Sequence, residues 1–307
     1  MKYKVYYLNF NTPIHIGKGN LDDAEYTICA DTFFSALCIE ALKIGGEKYI
    51  DKLVGLVRNN QLLMTDLMPH IKKEMWIYKP FLNIKHEEEG DSIVKKNFKK
   101  LRFIPISQVK LYAEGKLNPE IENKKMKELG KSVIETKATM CEKDEATPYT
   151  LGTFRFDKGN GLYVIMGADN SEAEQIFDEL IYSLGFTGVG GHVSSGLGKF
   201  TYEKGDLTED IASMIGNSTN QNILLTTSVA REDELESVVE SARYKLVKRG
   251  GFIQSFTYSD TFMKKKAMHM FQSGSVFSNI YEGEVYNVGG KGSHPVYKYS
   301  KPIFCSI

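Results

Sequence analysis

Apolar and polar residues alternate through KYKVYYLNF near the N-terminus, a period of two that predicts a strand over residues 3–10. TPIHIGKGN breaks the pattern and is expected to be a loop. The period then lengthens: Phe33, Phe34, Leu37, Ala41 and Ile44 recur near helical spacing in ADTFFSALCIEALKIGG. Asp31 is expected at the N-cap of that helix, accepting hydrogen bonds from free amides of the first turn. Gly45–Gly46 is expected to end it, and a second short helix is predicted over 47–58. From about Ile84 to Thr147 lysine and glutamate dominate and apolar residues thin out. This segment reads as an exposed hairpin or arm, too charged for core and inserted into a domain that continues beyond it. LGTFRF and GLYVIMGA return to strand pattern. SEAEQIFDELIYSLG places Ile176, Phe177, Leu180, Ile181 and Leu184 on one helical face, and GKFTYEK follows as a strand.

That order, β–α–(arm)–β–β–α–glycine loop–β, matches a ferredoxin-like unit carrying an insertion. Past the linker GNSTNQN, ILLTTSVA predicts a strand and EDELESVVESA a short helix. Strand-like segments separated by turn residues fill the remainder. The expected fold class is α+β: an N-terminal domain over 1–210 with the arm at about 84–147, and a smaller sheet-rich domain over 220–307. No sequence repeat links the halves.

The length, 307 residues, suffices for two such domains, and the 42% apolar and 25% charged composition is that of a soluble globular chain. No apolar run approaches the roughly 18–20 residues of a membrane span. The N-terminus reads as a strand and not as a signal peptide, so a cytoplasmic protein is expected. Cys29, Cys38, Cys141 and Cys305 form no CxxC pair and accompany no histidine cluster. Packing thiols are expected, with no metal site and no cofactor. The 39 basic and 39 acidic residues balance. This counts against a protein that coats nucleic acid by itself, while leaving room for local basic patches.

GFTGVGGHVSSGLGKF, Gly185 to Phe200, concentrates six glycines in sixteen residues. It is not a P-loop: Gly198–Lys199 is followed by Phe200, and position 193 is Val. It is not a dinucleotide fingerprint either, because Val193 stands where the third glycine belongs and the order runs helix, loop, strand. What remains is exposed backbone amide, the hydroxyls of Ser194 and Ser195, and the cation of Lys199. Such a surface can cradle phosphates. The bland alternative is a turn that ties helix to strand.

Three patches in order carry a resemblance: NTPIHIGKGN with ICADTFFSALCIEALKIGG, then the glycine loop, then YKLVKRGGFI, FQSGSVF and HPVYKYSKPIF. Together they resemble the RAMP-type subunit that caps the guide-RNA 5′ end in type III-A (Csm) CRISPR effector complexes, over nearly the whole chain. The resemblance implies two ferredoxin-like (RRM-like) domains and a thumb-like hairpin insertion, which 84–147 could supply. It implies a subunit that grips the repeat-derived 5′ handle of the crRNA. It also implies docking to the large subunit with the polymerase-like palm and to the adjacent RAMP backbone subunit, with target RNA near the arm and no membrane.

On that pattern His15, Gly17 and Lys18 face the same groove as Gly188, Gly190, Gly191, His192, Ser194, Ser195 and Lys199. A histidine there can stack on a base or donate to a phosphate. Lys248, Arg249 and Gly250 form a second basic turn, in which Arg can pair bidentately with phosphate. Lys264–Lys266 add charge nearby or protect a sheet edge. In the arm, Lys95, Lys96, Lys99, Lys100 and Arg102 could track RNA or keep the arm soluble, and Phe98 and Phe103 could wedge between bases or pack it. Asp22 and Asp23 lack the motif of a cleaving subunit. The leading reading is a non-catalytic RNA-binding and assembly subunit. The alternative is a metal-independent endoribonuclease that trims guide precursors, with His15 or His192 as general base.

Overall fold

The computed structural model describes residues 1–17, 19–84, 92–140, 146–255 and 257–307. β1 (Lys2–Phe10) leads through the small ribbon of β2 (Ile16–Gly17) and β3 (Ala24–Glu25) into α1 (Ala30–Arg58). β4 (Leu62–Met64), β5 (Met68–Ile71) and β6 (Glu74–Tyr78) follow. Then come α2 (Ser92–Lys100), β7 (Phe103–Pro105), α3 (Val109–Ala113) and α4 (Pro119–Met126). β8 (Gly130–Met140) and β9 (Ala146–Phe156) pair as a long hairpin. β10 (Asn160–Ala168), α5 (Ser171–Thr187) and β11 (Phe200–Asp206) complete this half.

The main sheet runs β11-β1-β10-β5-β6-β7, with β4 also pairing β10, and its ladders are antiparallel. β10 is buried along its whole length, as its continuous apolar run requires. α1 and α5 pack on the sheet through Phe33 and Phe177, and Phe177 meets the Tyr6 ring edge-on at 4.9 Å. Helical φ/ψ is interrupted at Gly46 (φ 68°, ψ −160°), so α1 is two helical stretches joined at a kink, as the Gly45–Gly46 pair predicts.

Two expectations need correction. Asp31 is not the N-cap: Cys29 holds that position, Asp31 lies in the first turn, and the Ala30 amide donates instead to Asp66 Oδ1 at 2.8 Å. A carboxylate brought in by the fold takes over the capping role. Nor is 84–147 uniformly an exposed arm. Leu101, Phe103, Ile104, Ile106, Val109, Tyr112, Leu117 and Leu129 are buried in the main core. A sparse set of apolar residues suffices when the charges face outward, so a low average hydropathy hides one buried face. Phe103 packs between Tyr26 and Tyr78, and Phe98 lies near Tyr112. Arg102 pairs with Glu25 and covers the Tyr26 ring. Among the described residues of this segment, β8 lies at the surface, with Ile134 65% exposed.

The C-terminal half holds α6 (Glu209–Gly216), β12 (Asn222–Leu224), α7 (Glu232–Val239), β13 (Leu246–Arg249) and β14 (Met268–Phe271). It ends with β15 (Val276–Phe277), β16 (Glu284–Asn287), β17 (Tyr297–Ser300) and β18 (Phe304–Ser306). A three-stranded sheet runs β15-β12-β18, while β13–β14 and β16–β17 are two-stranded ribbons. Ile223, Leu225, Val276, Tyr299, Ile303 and Cys305 belong to the same core as the N-terminal half. Polar ties reinforce the join. The Met64 amide donates to Tyr299 Oη at 2.8 Å, and Asp66 accepts from both the amide and the hydroxyl of Thr227.

Candidate nucleic-acid interface

The glycine loop folds against the segment after β1. Most of its amides find acceptors inside the protein. Gly188 donates to the Leu184 carbonyl, Val189 to Gly198, Gly191 to His15 and Gly198 to Pro13, all at 2.7–3.0 Å. The Lys199 amide donates to Thr12 Oγ1. The glycines are needed for this fit. A Cβ on Gly198 (φ 76°) would lie 2.1 Å from the Val189 carbonyl oxygen, and one on Gly188 (φ 92°) 2.4 Å from that of Leu197. Gly190 and Gly191 approach His15 so closely that a Cβ at either would meet it at 2.8 Å. The excess of glycine therefore serves backbone packing in large part, and the expected run of free amides is shorter than the sequence suggests.

That run is His192, Val193 and Ser194. His192 has left-handed backbone (φ 58°, ψ 30°) and starts a 3₁₀ turn over Val193–Ser195. Among the described residues, these three successive amides have no protein acceptor. The conformation is of the kind that forms anion-binding nests. Ser194, Ser195 and Lys199 are exposed in the same loop.

His15 and His192 come together, their rings edge to face at 5.4 Å. They are not equivalent. His15 is buried, 6% exposed, and its Nδ1 hydrogen-bonds the Gly152 carbonyl at 2.6 Å. His192 is only half-buried, and Tyr149 stacks over it at 6.4 Å with 21° between ring planes. Desolvation lowers the pKa of His192 below the ordinary histidine value, helped by His15 and Lys137, so the ring is neutral near pH 7. Tyr149 and Lys137 were not singled out in the sequence. Only the β8–β9 register, which pairs Lys137 with Tyr149, brings them to the loop. A groove of about 490 Å³ adjoins them, lined by Leu21, Asp22, Thr136, Pro148, Tyr149 and Thr150.

Gly17 is exposed in β2, with His15 Nε2 lying 3.5 Å from where its Cβ would be. Lys18 lies outside the described residues. The second predicted group sits elsewhere in the fold. Lys248 is exposed on β13, and Gly250 lies beside Ala267. Arg249 turns inward: its Nη2 is 2.8 Å from Asp31 Oδ1 and 2.7 Å from Thr32 Oγ1. The free guanidinium expected for phosphate is thus engaged internally, because the fold places a buried carboxylate within reach. Lys298 Nζ, 3% exposed, binds the other oxygen of Asp31 at 2.9 Å. Burial would raise the Asp31 carboxyl, but Arg249 and Lys298 together hold it down to about 2.

Cys29, Cys38 and Cys305 are free thiols pushed up to about 12 by burial, while Cys141 lies outside the described residues. Among the described residues no group of His, Cys, Asp or Glu is placed to hold a metal ion, and no helix is long and apolar enough to cross a membrane.

Comparison with known proteins decides the family. The CRISPR Csm4 C-terminal domain family matches residues 217–307. Over 294 residues the chain is 32% identical to the CRISPR system Cms protein Csm4 of Mycobacterium tuberculosis (strain H37Rv), covering 95% of this chain and 94% of that protein. The chain belongs to the Csm4 family. The Csm4 of Streptococcus thermophilus is 30% identical over 316 residues, covering 100% and 99% of the two chains. Among solved structures, a chain of the Csm3-Csm4 subcomplex in the type III-A CRISPR-Cas interference complex superposes with a TM-score of 0.66 at 19% identity, covering 100% of this chain and 99% of that one. A chain of the Csm1-Csm4 cassette in complex with AMPPNP gives 0.64 at 14% identity, covering 100% and 98%. These structural matches establish the mixed α/β Csm4 fold over the full chain, and membership identifies a RAMP subunit of the type III-A Csm system.

Proposed function

We propose that this chain is a non-catalytic, cytoplasmic RNA-binding subunit of a type III-A complex. It holds the crRNA 5′ handle at the junction of the glycine loop, the segment after β1 and the base of the β8–β9 hairpin. The observation that carries this reading is the run of free amides at His192–Ser194 in the same loop as the exposed Lys199, with the Tyr149–His192 stack at its start. Amides and a cation suit phosphate, and a neutral stacked ring suits a base. The RNA-facing set is then Gly190, Gly191, His192, Ser194, Ser195 and Lys199, with Lys248 and Gly250 outside this junction and Arg249 left as a structural residue.

The division into domains over 1–210 and 220–307 belongs to the same proposal. Its support is the strand order β11-β1-β10-β4 with α1 and α5 as the two crossovers, the order of a ferredoxin-like unit. In the second half β18-β12-β15 is extended by a bridge from Arg243 to Val276, which repeats that order. The β16–β17 ribbon stands where a second helix would run. The β8–β9 hairpin is the proposed thumb, and target RNA is expected near it. The partners proposed are a Csm1-type large subunit and a Csm3-type backbone subunit, on the strength of the complexes in which similar chains were solved.

A ribonuclease reading would rest on the His15–His192 pair. Nδ1–H donation to the Gly152 carbonyl would leave His15 Nε2 as a base, but the ring is buried away from any substrate hydroxyl. The test uses the chain purified with its large-subunit partner and 5′-labelled guide RNA, in EDTA and in Mg²⁺, against a guide with a scrambled handle. Handle-dependent binding of intact RNA, weakened roughly ten-fold by His192→Ala or Lys199→Ala, is expected. Cleavage that persists in EDTA and disappears in His15→Ala would overturn the non-catalytic reading.

A further inference from the structure

The β13–β14 ribbon and the loop that joins its strands are strongly basic. Between Arg243 and His269 the chain carries seven Lys or Arg against one acidic residue, Asp260, in a protein whose total charge is zero. Two of the cations turn inward: Arg249 to Asp31, and Lys265 to Ser35 Oγ at 3.3 Å. Others face solvent. Lys248 pairs across the ribbon with His269, and both are exposed. Beyond them Gly250 lies beside Ala267. The ribbon continues as a bridged pair, Phe252 with Lys264.

Phe252 is 56% exposed, with Lys264 Nζ 5.4 Å from its ring centroid, and Phe262 is 85% exposed. The exposed Phe252 ring with Lys264 over it offers a partner both an apolar face and a cation. Two partner classes take aromatic surface, a protein and a single-stranded nucleic acid. Lysine is depleted in the core of protein interfaces, whereas an aromatic ring flanked by lysines is the usual platform for unpaired bases, the ring stacking and the cations following the backbone.

We propose that the β13–β14 ribbon is a second binding platform, which takes unpaired RNA nucleotides by stacking a base on Phe252 while Lys248 and Lys264 contact the flanking phosphates. Lys248 and Phe252 are four residues apart along the chain, with the end of β13 at Arg249 and Gly251 at φ 130° between them. The proposal rests on the RNA-binding reading of the chain but not on the glycine loop. It assigns Phe252, Lys264 and His269 a place in RNA contact and leaves Arg249 and Lys265 as the inward-facing supports beneath them.

The experiment is fluorescence anisotropy on the full chain with a fluorescein-labelled twelve-nucleotide oligouridylate and with an RNA duplex of the same length. The single strand is expected to bind more tightly. Phe252→Ala is expected to lose roughly ten-fold in affinity and Phe252→Tyr to restore it, with the melting temperature unchanged in both because the ring is exposed. Lys248→Ala combined with Lys264→Ala is expected to lower the slope of log affinity against log salt by about 1.4, or about 0.7 for each phosphate no longer neutralised. The proposal fails if Phe252→Ala binds the single strand like the parent, or if the duplex binds equally well. It fails also if Phe252→Ala keeps its RNA affinity but no longer co-purifies with other subunits, since the ribbon is then a protein-docking surface. His192→Ala measured in parallel separates the two readings. A loss confined to His192→Ala supports the glycine loop and overturns the ribbon, and a loss confined to Phe252→Ala does the reverse.

Discussion

Asp31 is the residue whose meaning changes most between sequence and structure. In the sequence it is an ideal helix cap. In the fold it is a buried carboxylate shared by Arg249 and Lys298. Removing one member of such a buried group leaves charge without a partner, so Asp31→Ala should lower unfolding free energy by about 3–5 kcal/mol, read from urea midpoints at constant slope. Two other buried groups set the response to pH, with opposite signs. His70 is buried beside Tyr7, and desolvation lowers its pKa from 6.5 to about 4, against the Leu8 carbonyl, which favours the protonated ring. Between those values the unfolded chain binds the proton and the folded one does not, so stability falls as pH drops from 6.5 toward 4. Burial raises Asp66 from 3.8 to about 6, against its hydrogen bonds from Thr227 and Ala30. There the folded chain binds the proton first, so stability rises as pH drops from 6 toward 3.8. Each shift is worth up to about 3 kcal/mol. Urea stability of the parent should therefore change little between pH 6.5 and 5, while Asp66→Asn should show a clear fall on acidification. An equal fall in the parent would mean that Asp66 does not titrate as the structure implies.

At the scale of elements, β1, α1, α5 and β11 were legible because each has one buried face and therefore a clean period. The kink at Gly46 was legible for the same reason: two adjacent glycines interrupt a helical pattern. The segment between β6 and β8 was not. Its helices are short and mostly solvated, and the few apolar residues that dock them are diluted by lysine and glutamate. The β8–β9 hairpin is the element on which the proposed site depends while the core does not. Leu151 is buried, but the described residues beyond the Thr136–Thr150 pair are exposed or half-exposed. Replacing residues 137–149 by an Asn-Gly turn should leave the melting temperature within a few degrees of the parent, because little core is removed. The same change deletes Lys137 and Tyr149 and should abolish handle-specific binding in a gel-shift titration. Unaltered binding would move the site away from the hairpin.

For the whole molecule, the decisive feature is that one core runs through both halves. Tyr299 and Ile303 pack with the N-terminal core, Asp66 caps α1 and holds Thr227, and Asp31 ties α1 to β13 and β17. α6 crosses the expected boundary at 210, with Ile211 and Ile215 in that same core. A split chain would expose apolar surface and strand buried charges on both sides. Calorimetry should therefore show a single transition with equal calorimetric and van't Hoff enthalpies, and residues 217–307 expressed alone should give the broad spectra of an unfolded chain. Two resolved transitions would show that the halves are independent.

Local pattern determined what depends on near neighbours along the chain: the strand and helix faces, the glycine punctuation, the α+β class, and the Csm-type resemblance carried by loop motifs in order. Contacts between distant residues decided the rest. Which loop amides stay free depends on how closely the loop packs on His15 and Pro13. Whether an arginine meets solvent or a buried carboxylate depends on α1 meeting β13 across more than two hundred residues. A residue's charge and shape are written in its own identity, but its partner and its solvent exposure are set by the chain that folds back over it.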